Sequence, residues 1–216
     1  MPQNHVSYVF NYCHVYFGSA ESYGDRDTMA AIATAINEGG FSTRAGTQHG
    51  VGPSLLQDAN WLSFSMQKQQ KSNLCWAAVG ASVGNYYWGT GSYTQCGIAN
   101  ICQNKSTCCN DLDGCNTDGV LDKALQAAKS FDSMAAGTAS FAVLQRRVDI
   151  GQPVGTRVAW FTGGAHFTMI SGYNTDGNKI DVQDSWYGPT TIAYAAYPAK
   201  YHDGGSWSHT YFTKKQ

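Results

Sequence analysis

Gln69, Cys75, His166 and Asp184 have the residue types and spacing to carry out acyl transfer through a thiol. Cys75 ends the polar run Gln69-Gln70-Lys71-Ser72-Asn73-Leu74 and opens a segment of small and apolar residues. There Trp76, Val79, Val83 and Tyr87 recur at helical spacing. Ser72 or Asn73 is placed to cap that helix, which predicts Cys75 in the first turn, at the positive end of the helix dipole. A thiolate is favoured over a thiol at such a position. Gln69, six residues upstream, can offer its side-chain amide to an oxyanion beside the backbone N–H of Cys75. A cysteine opening an apolar helix is also a common core residue or disulfide half, so a base must be found elsewhere.

His166 follows Gly163-Gly164-Ala165, where a strand opens with little side-chain bulk around it. Thr175-Asp176-Gly177-Asn178 reads as a hairpin turn whose paired positions sum to about 353. The returning strand Lys179 to Trp186 then brings Asp184 near His166. Asp184 is expected to accept from the ring Nδ1–H, leaving Nε2 to face Cys75, with Trp186 shielding the bond from water.

The elements that must position these residues divide the chain in two. Residues 1–60 read as an N-terminal extension: strands within Val6–Phe17, then a helix capped by Asp25 or Asp27 and stopped by Gly39-Gly40. Such a region either inhibits or targets the protein, or is an integral strand and helix of the domain. Residues 61–216 form the main domain. The Cys75 helix is followed by a cysteine-rich loop from Gly89 to Asn116 and a helix from about Gly119 to Ser130. A further helix begins after Ser140, lined by Phe141, Val143, Leu144 and Val148 and ended by Gly151-Gln152-Pro153. Strands Val154–Trp160, Ala165–Tyr173 and Lys179–Trp186 come next. Helices first and an antiparallel sheet second predict an α+β fold.

Composition narrows the partners. A net charge of −1, with 13% charged residues, supplies no electrostatic case for nucleic acid or an anionic membrane, and no stretch is long enough to span a bilayer. Peptide or glycopeptide is the polymer to consider. If Cys75 stays free, the other six of the seven cysteines, Cys13, Cys96, Cys102, Cys108, Cys109 and Cys115, allow three disulfides in 15 connectivities. Cys108 and Cys109 are expected to take different partners. No Cys-x2-Cys pair and no His falls in the cluster, which argues against zinc. The spacings of His5, Cys13, His14 and His49 are irregular, and Asp111, Asp113, Asn116 and Asp118 lack the EF-hand pattern. No metal and no organic cofactor is expected. Disulfides imply an oxidising destination, yet Met1-Pro2-Gln3-Asn4-His5 opens no secretory signal. The expectation is a secreted or exported protein whose export signal is not visible in this sequence.

The run Gln69 to Ala78 resembles the papain-like cysteine peptidases, in particular the bacterial branch of secreted effector proteases and double-glycine leader peptidases. The resemblance continues through Gln95 to Asn100, Cys108-Cys109 to Cys115-Asn116, Gly151 to Val154, Gly164 to Phe167, Asp184 to Gly188 and Trp207 to Phe212. It implies a papain-like fold, with an N-terminal helical half carrying the nucleophile helix and a C-terminal antiparallel sheet half. It also implies Cys75 as nucleophile, His166 as acid/base, Asp184 as orienter and Gln69 as oxyanion donor. The implied activity is that of a cysteine endopeptidase acting on protein or peptide substrates, an exported effector that can require an inhibitor, chaperone or activator protein. The chain departs from relatives at Leu74, where many carry Trp, and at Asp184, where papain has Asn. Two other readings stay open: a peptidoglycan stem-peptide amidase, and a catalytically silent, disulfide-stapled binding module. Gly39-Gly40 resembles a leader-peptidase cleavage site, although a plain helix C-cap explains it as well.

Overall fold

The computed structural model describes residues 57–216. The strands and helix expected before residue 57, with Cys13 and Gly39-Gly40, lie outside the described residues.

The first strand, β1 (Ala59–Trp61), is followed by helix α1 (Cys75–Trp88), α2 (Gln95–Gln103), α3 (Leu121–Ala127), strand β2 (Phe131–Ala136) and helix α4 (Phe141–Asp149). Strands β3 (Val154–Trp160), β4 (Ala165–Asn174), β5 (Lys179–Asp184), β6 (Thr190–Ala193) and β7 (Gly205–Thr213) complete an antiparallel sheet in the order β2-β7-β3-β4-β5-β6, with β1 paired to the end of β4. This is the α+β arrangement expected from the order of periods along the chain.

Several elements differ from the sequence reading. The cysteine-rich stretch contains α2, whose start is fixed by Thr94 Oγ1 accepting from the Gly97 N–H; its Asn, Gly and Cys content hides a helix held by that cap and by disulfides. Strand β2 follows α3 in a stretch for which no element was expected, and β7, absent from the sequence reading, lies between β2 and β3. Its alternation is broken by a register shift opposite Arg157 and Val158, which blurs the period-2 signal.

Buried side chains gather on both faces of the sheet. On one face α1 and α3 cover Phe167, Met169 and Tyr211. On the other, Leu144 of α4 packs with Val154, Val158, Trp160, Ile170, Ile180, Val182, Tyr197 and Tyr201. Helix α1 is buried from Cys75 to Gly84, and its small residues exist for close approach. A Cβ at Gly80 would lie 2.8 Å from the Cβ of Ala124, and one at Gly84 2.5 Å from the Tyr93 ring.

The tightest such approach is at Gly119, where a Cβ would come within 2.3 Å of the Trp76 indole. That ring is buried and its Nε1–H donates to the Thr117 carbonyl at 3.1 Å, so moving it aside would strain that hydrogen bond. Gly119→Ala is therefore expected to destabilise the fold by about 1–3 kcal/mol, the range for overpacking a filled core. Denaturant unfolding checks it, and a midpoint equal to that of the wild type would count against the packing described.

Candidate active site

Cys75 is the first residue of α1, and no side chain caps that helix. The expected caps are used otherwise. Asn116, just beyond the Cys108–Cys115 disulfide, accepts from the Asn73 N–H at 2.8 Å and donates through Nδ2 to Ser72 Oγ at 3.0 Å. The stapled loop thus clamps the turn entering α1 and takes the side chains that would have capped it. An uncapped N-terminus leaves first-turn amides directed at whatever oxyanion forms there.

The Cys75 sulfur is engaged in a disulfide, contrary to the expectation of a free thiol, so a thiolate at this position forms only after reduction. Cys96 pairs with Cys109, and Cys108 with Cys115, so the adjacent cysteines do take different partners. Cys102, expected to be bridged, carries the free thiol among the described residues. Six residues along α2 from Cys96, it lies on a different face of the helix. Burial is the largest influence on that thiol and pushes its pKa up to about 11.

His166 opens β4 and Asp184 closes β5. Both are buried, and the His166 Nε2 lies 2.8 Å from Asp184 Oδ1. The nitrogen differs from the expected one: Nε2 meets the carboxylate, and Nδ1 is the ring nitrogen on the opposite side from it.

A bulge brings the pair together. Near the turn, the β4–β5 pairs sum to 353, as in Asn174 with Lys179 and Tyr173 with Ile180. A register shift at Ser171 changes the sum to 352, so that Asp184 stands opposite Thr168. Side chains alternate with period 2, so His166 and Thr168 share a face. Without the extra residue, Asp184 would stand opposite Met169, on the other face of the sheet from His166.

Asp184 is a heavily satisfied carboxylate. Its Oδ1 also accepts from the backbone N–H of Trp186 at 2.6 Å and Tyr187 at 3.0 Å, while Oδ2 accepts from the Tyr201 hydroxyl at 2.9 Å. Burial is the largest influence and pushes its pKa up. His166, with its charge and hydrogen bond, and the two backbone donors outweigh it, and the net pKa lies below the usual carboxylate value. Trp186 donates its backbone N–H to Oδ1, and its side chain is 40% exposed. The Trp160 ring lies nearly parallel to that of His166 at a centroid distance of 6.1 Å.

Gln69 links the two halves. Its N–H donates to the Ser185 carbonyl at 2.8 Å, and its Oε1 accepts from Ser185 Oγ at 2.9 Å. Both Nε2 hydrogens are engaged, by the carbonyls of Lys71 and Ser72 at 2.9 Å each. The loop before Cys75 is therefore pinned to the residue after Asp184. A groove of about 430 Å³ adjoins this seam, lined by Phe64, Met66, Lys68, Trp186 and Tyr187 among others.

The contacts that Ser185, Asn116, Trp160 and Tyr201 make here were not among the sequence expectations. Only Ser185 carried a local signal, its adjacency to Asp184. The others reach the site through turns and strand pairings that no periodicity reports.

The fold is that of papain-like cysteine proteases. Xylellain, a cysteine protease from Xylella fastidiosa, superposes with a TM-score of 0.52 at 10% identity, covering 99% of this chain and 100% of its own. The Carica candamarcensis cysteine protease CMS1MS2, solved in complex with E-64, matches with a TM-score of 0.47 at 15% identity over 74% of this chain and 99% of its own. No curated protein sequence matches. The sequence model of the family described as papain-like cysteine protease AvrRpt2 matches residues 58–202, more than half of the chain. The chain belongs to that family and is a cysteine protease, a peptide-bond hydrolase.

Proposed function

We propose that this protease is an exported effector endopeptidase in which Cys75, His166, Asp184 and Gln69 carry out the chemistry. Reduced Cys75 attacks the scissile carbonyl after losing its proton to Nδ1 of His166, and the tetrahedral oxyanion is held by amides of the first turn of α1. Gln69 joins them by releasing one of its two carbonyl partners. His166 returns the proton to the leaving amine, and water, deprotonated by the same imidazole, cleaves the thioester. Asp184 holds Nε2–H throughout, so that Nδ1 keeps facing the thiol.

The observation that supports this reading is the double hydrogen bond between Gln69 and Ser185, which ties the segment before Cys75 to the His166–Asp184 pair. Oxidised loop cysteines favour export, and membership of an AvrRpt2-type family supports the effector role.

The test is to incubate the protein and its Cys75→Ala variant, each with a mild thiol reductant, with a diverse peptide library and with purified peptidoglycan, reading both by mass spectrometry. Cys75-dependent cuts confined to peptides are expected; muropeptide products would replace the peptidase with an amidase. With the substrate in hand, Gln69→Ala is expected to lower kcat about 10²-fold to 10³-fold, the cost of one oxyanion donor. An unchanged kcat would limit Gln69 to bracing its loop.

A further inference from the structure

The three donors on Asp184 Oδ1 fix that oxygen but leave the carboxylate able to swing about it. Among the described residues, the hydrogen bond that stops the swing comes from Tyr201, whose hydroxyl donates to Oδ2 at 2.9 Å. We propose that Tyr201 is a positioning residue of this protease: by holding Oδ2 it fixes the plane of the Asp184 carboxylate and so aims the His166 ring. The inference rests on the reading of Asp184 and His166 as orienter and acid/base.

The surroundings of Tyr201 suit that task. The side chain is 2% exposed. Its ring lies within 16° of parallel to Trp160 at 6.3 Å, and Trp160 is in turn within 19° of parallel to His166 at 6.1 Å. One aromatic thus backs both the imidazole and the phenol. Tyr197 meets Tyr201 edge-on at 5.3 Å and is itself fixed by hydroxyl contacts to Thr156 at 2.6 Å and Thr168 at 2.8 Å. The backbone is equally constrained. The Tyr201 N–H donates to the Pro198 carbonyl at 3.0 Å, and its carbonyl accepts from the Gly204 N–H at 2.9 Å. Gly204 has φ +73°, and a Cβ there would meet the Ala199 carbonyl at 2.8 Å, so the turn requires glycine. Burial first, and the Asp184 charge second, push the phenol pKa far above its ordinary value, keeping the hydroxyl a donor across the working range. The other titratable groups facing the carboxylate are His166, Tyr187, Tyr197 and His202.

The experiment uses the full chain, reduced as above, with the peptide substrate identified by the library. A hydrogen bond to a charged group carries enough energy that Tyr201→Phe is expected to lower kcat about 10-fold to 100-fold. KM should stay within about twofold, and the acid limb of kcat/KM should move to higher pH, because the carboxylate has lost a donor that favours its charged form. In an Asp184→Ala background the same substitution should cost no more than about twofold, since its partner is gone. An equal loss in both backgrounds would assign Tyr201 to packing and overturn the proposal, as would an unmoved acid limb with full activity.

The His166 Nε2–H proton resonance gives a readout that needs no turnover: sharp in the wild type, broadened by solvent exchange in Tyr201→Phe. If the wild type shows no Cys75-dependent cleavage, the peptidase reading of the site fails, and an unchanged Nε2–H signal would independently overturn the role of Tyr201. Should Tyr201→Phe not fold, 3-fluorotyrosine at position 201, a stronger donor of nearly the same shape, should move the acid limb to lower pH; no movement would overturn the proposal.

Discussion

Cys75→Ala is expected to lower peptide hydrolysis by at least about 10⁴-fold while leaving the fold intact. The substitution removes the proposed nucleophile, and what would remain is binding together with the proposed amide donors of α1, which supply only the residual catalysis seen when a nucleophile is deleted elsewhere. Cys102, the free thiol among the described residues, cannot substitute. Burial pushes the Cys102 pKa up to about 11, so little thiolate forms there at neutral pH. Cys102 lines a separate hollow with Trp76, Gly119 and Lys123. Cys102→Ala should therefore keep activity within about twofold of the wild type, because this half-buried thiol faces a hollow apart from the proposed chemistry. Because Cys75 is disulfide-bonded in this structure, mild reduction should activate the wild type and leave Cys75→Ala silent. The measurement is kcat/KM against reductant, with thermal unfolding as the control for folding. A Cys75→Ala protein that retains more than about a hundredth of the wild-type rate would remove Cys75 from the chemistry.

The second large effect concerns the carboxylate. Asp184→Ala is expected to cost about 10³-fold to 10⁴-fold in kcat, the range for losing the acid of a catalytic triad. It strips acceptors from His166 Nε2, the Trp186 and Tyr187 N–H groups and the Tyr201 hydroxyl together. Asp184→Asn should behave quite differently and stay within about tenfold of the wild type. The three donors around Oδ1 select the carbonyl end of the amide, and the Tyr201 hydroxyl can turn to accept from Nδ2. The imidazole tautomer is thereby kept.

The same pair of variants tests linkage. The folded-state pKa of Asp184 lies below its unfolded value. Its contribution to stability is thus complete above the unfolded value of about 4 and is lost as pH falls through the folded one. Between about pH 4 and the folded pKa, the wild type should lose stability more steeply than Asp184→Asn, which has no proton to take up there. Urea midpoints measured across that window decide it, and parallel curves would mean that Asp184 does not titrate as described.

Much of the architecture was legible because it rests on local chemistry. The small and apolar residues after Cys75 prescribe a buried helix, Ser140 caps α4 by accepting from the Val143 N–H, and Thr175-Asp176-Gly177-Asn178 turns β4 into β5. What stayed hidden rests on competition between distant segments. Ser72 and Asn73 have the right chemistry for helix caps, but Asn116 takes them. Helix α2 was concealed by a loop-like composition that disulfides and the Thr94 cap override. Strand β7 was concealed by its irregular pairing.

By itself the sequence determined helices α1, α3 and α4, strands β3, β4 and β5, the hairpin turn, and the pool of residues with the right chemistry: a cysteine opening a helix, a histidine opening a strand, and an aspartate at the end of the next. Tertiary structure decided which of their atoms meet. A single extra residue at Ser171 sets whether Asp184 shares a face with His166, because side chains alternate with period 2 and a one-residue slip moves every one of them through the sheet. Tyr201 reaches the same carboxylate only through the turn that follows β6. That meeting depends on burial and on backbone closure at Gly204, and no spacing along the chain records it.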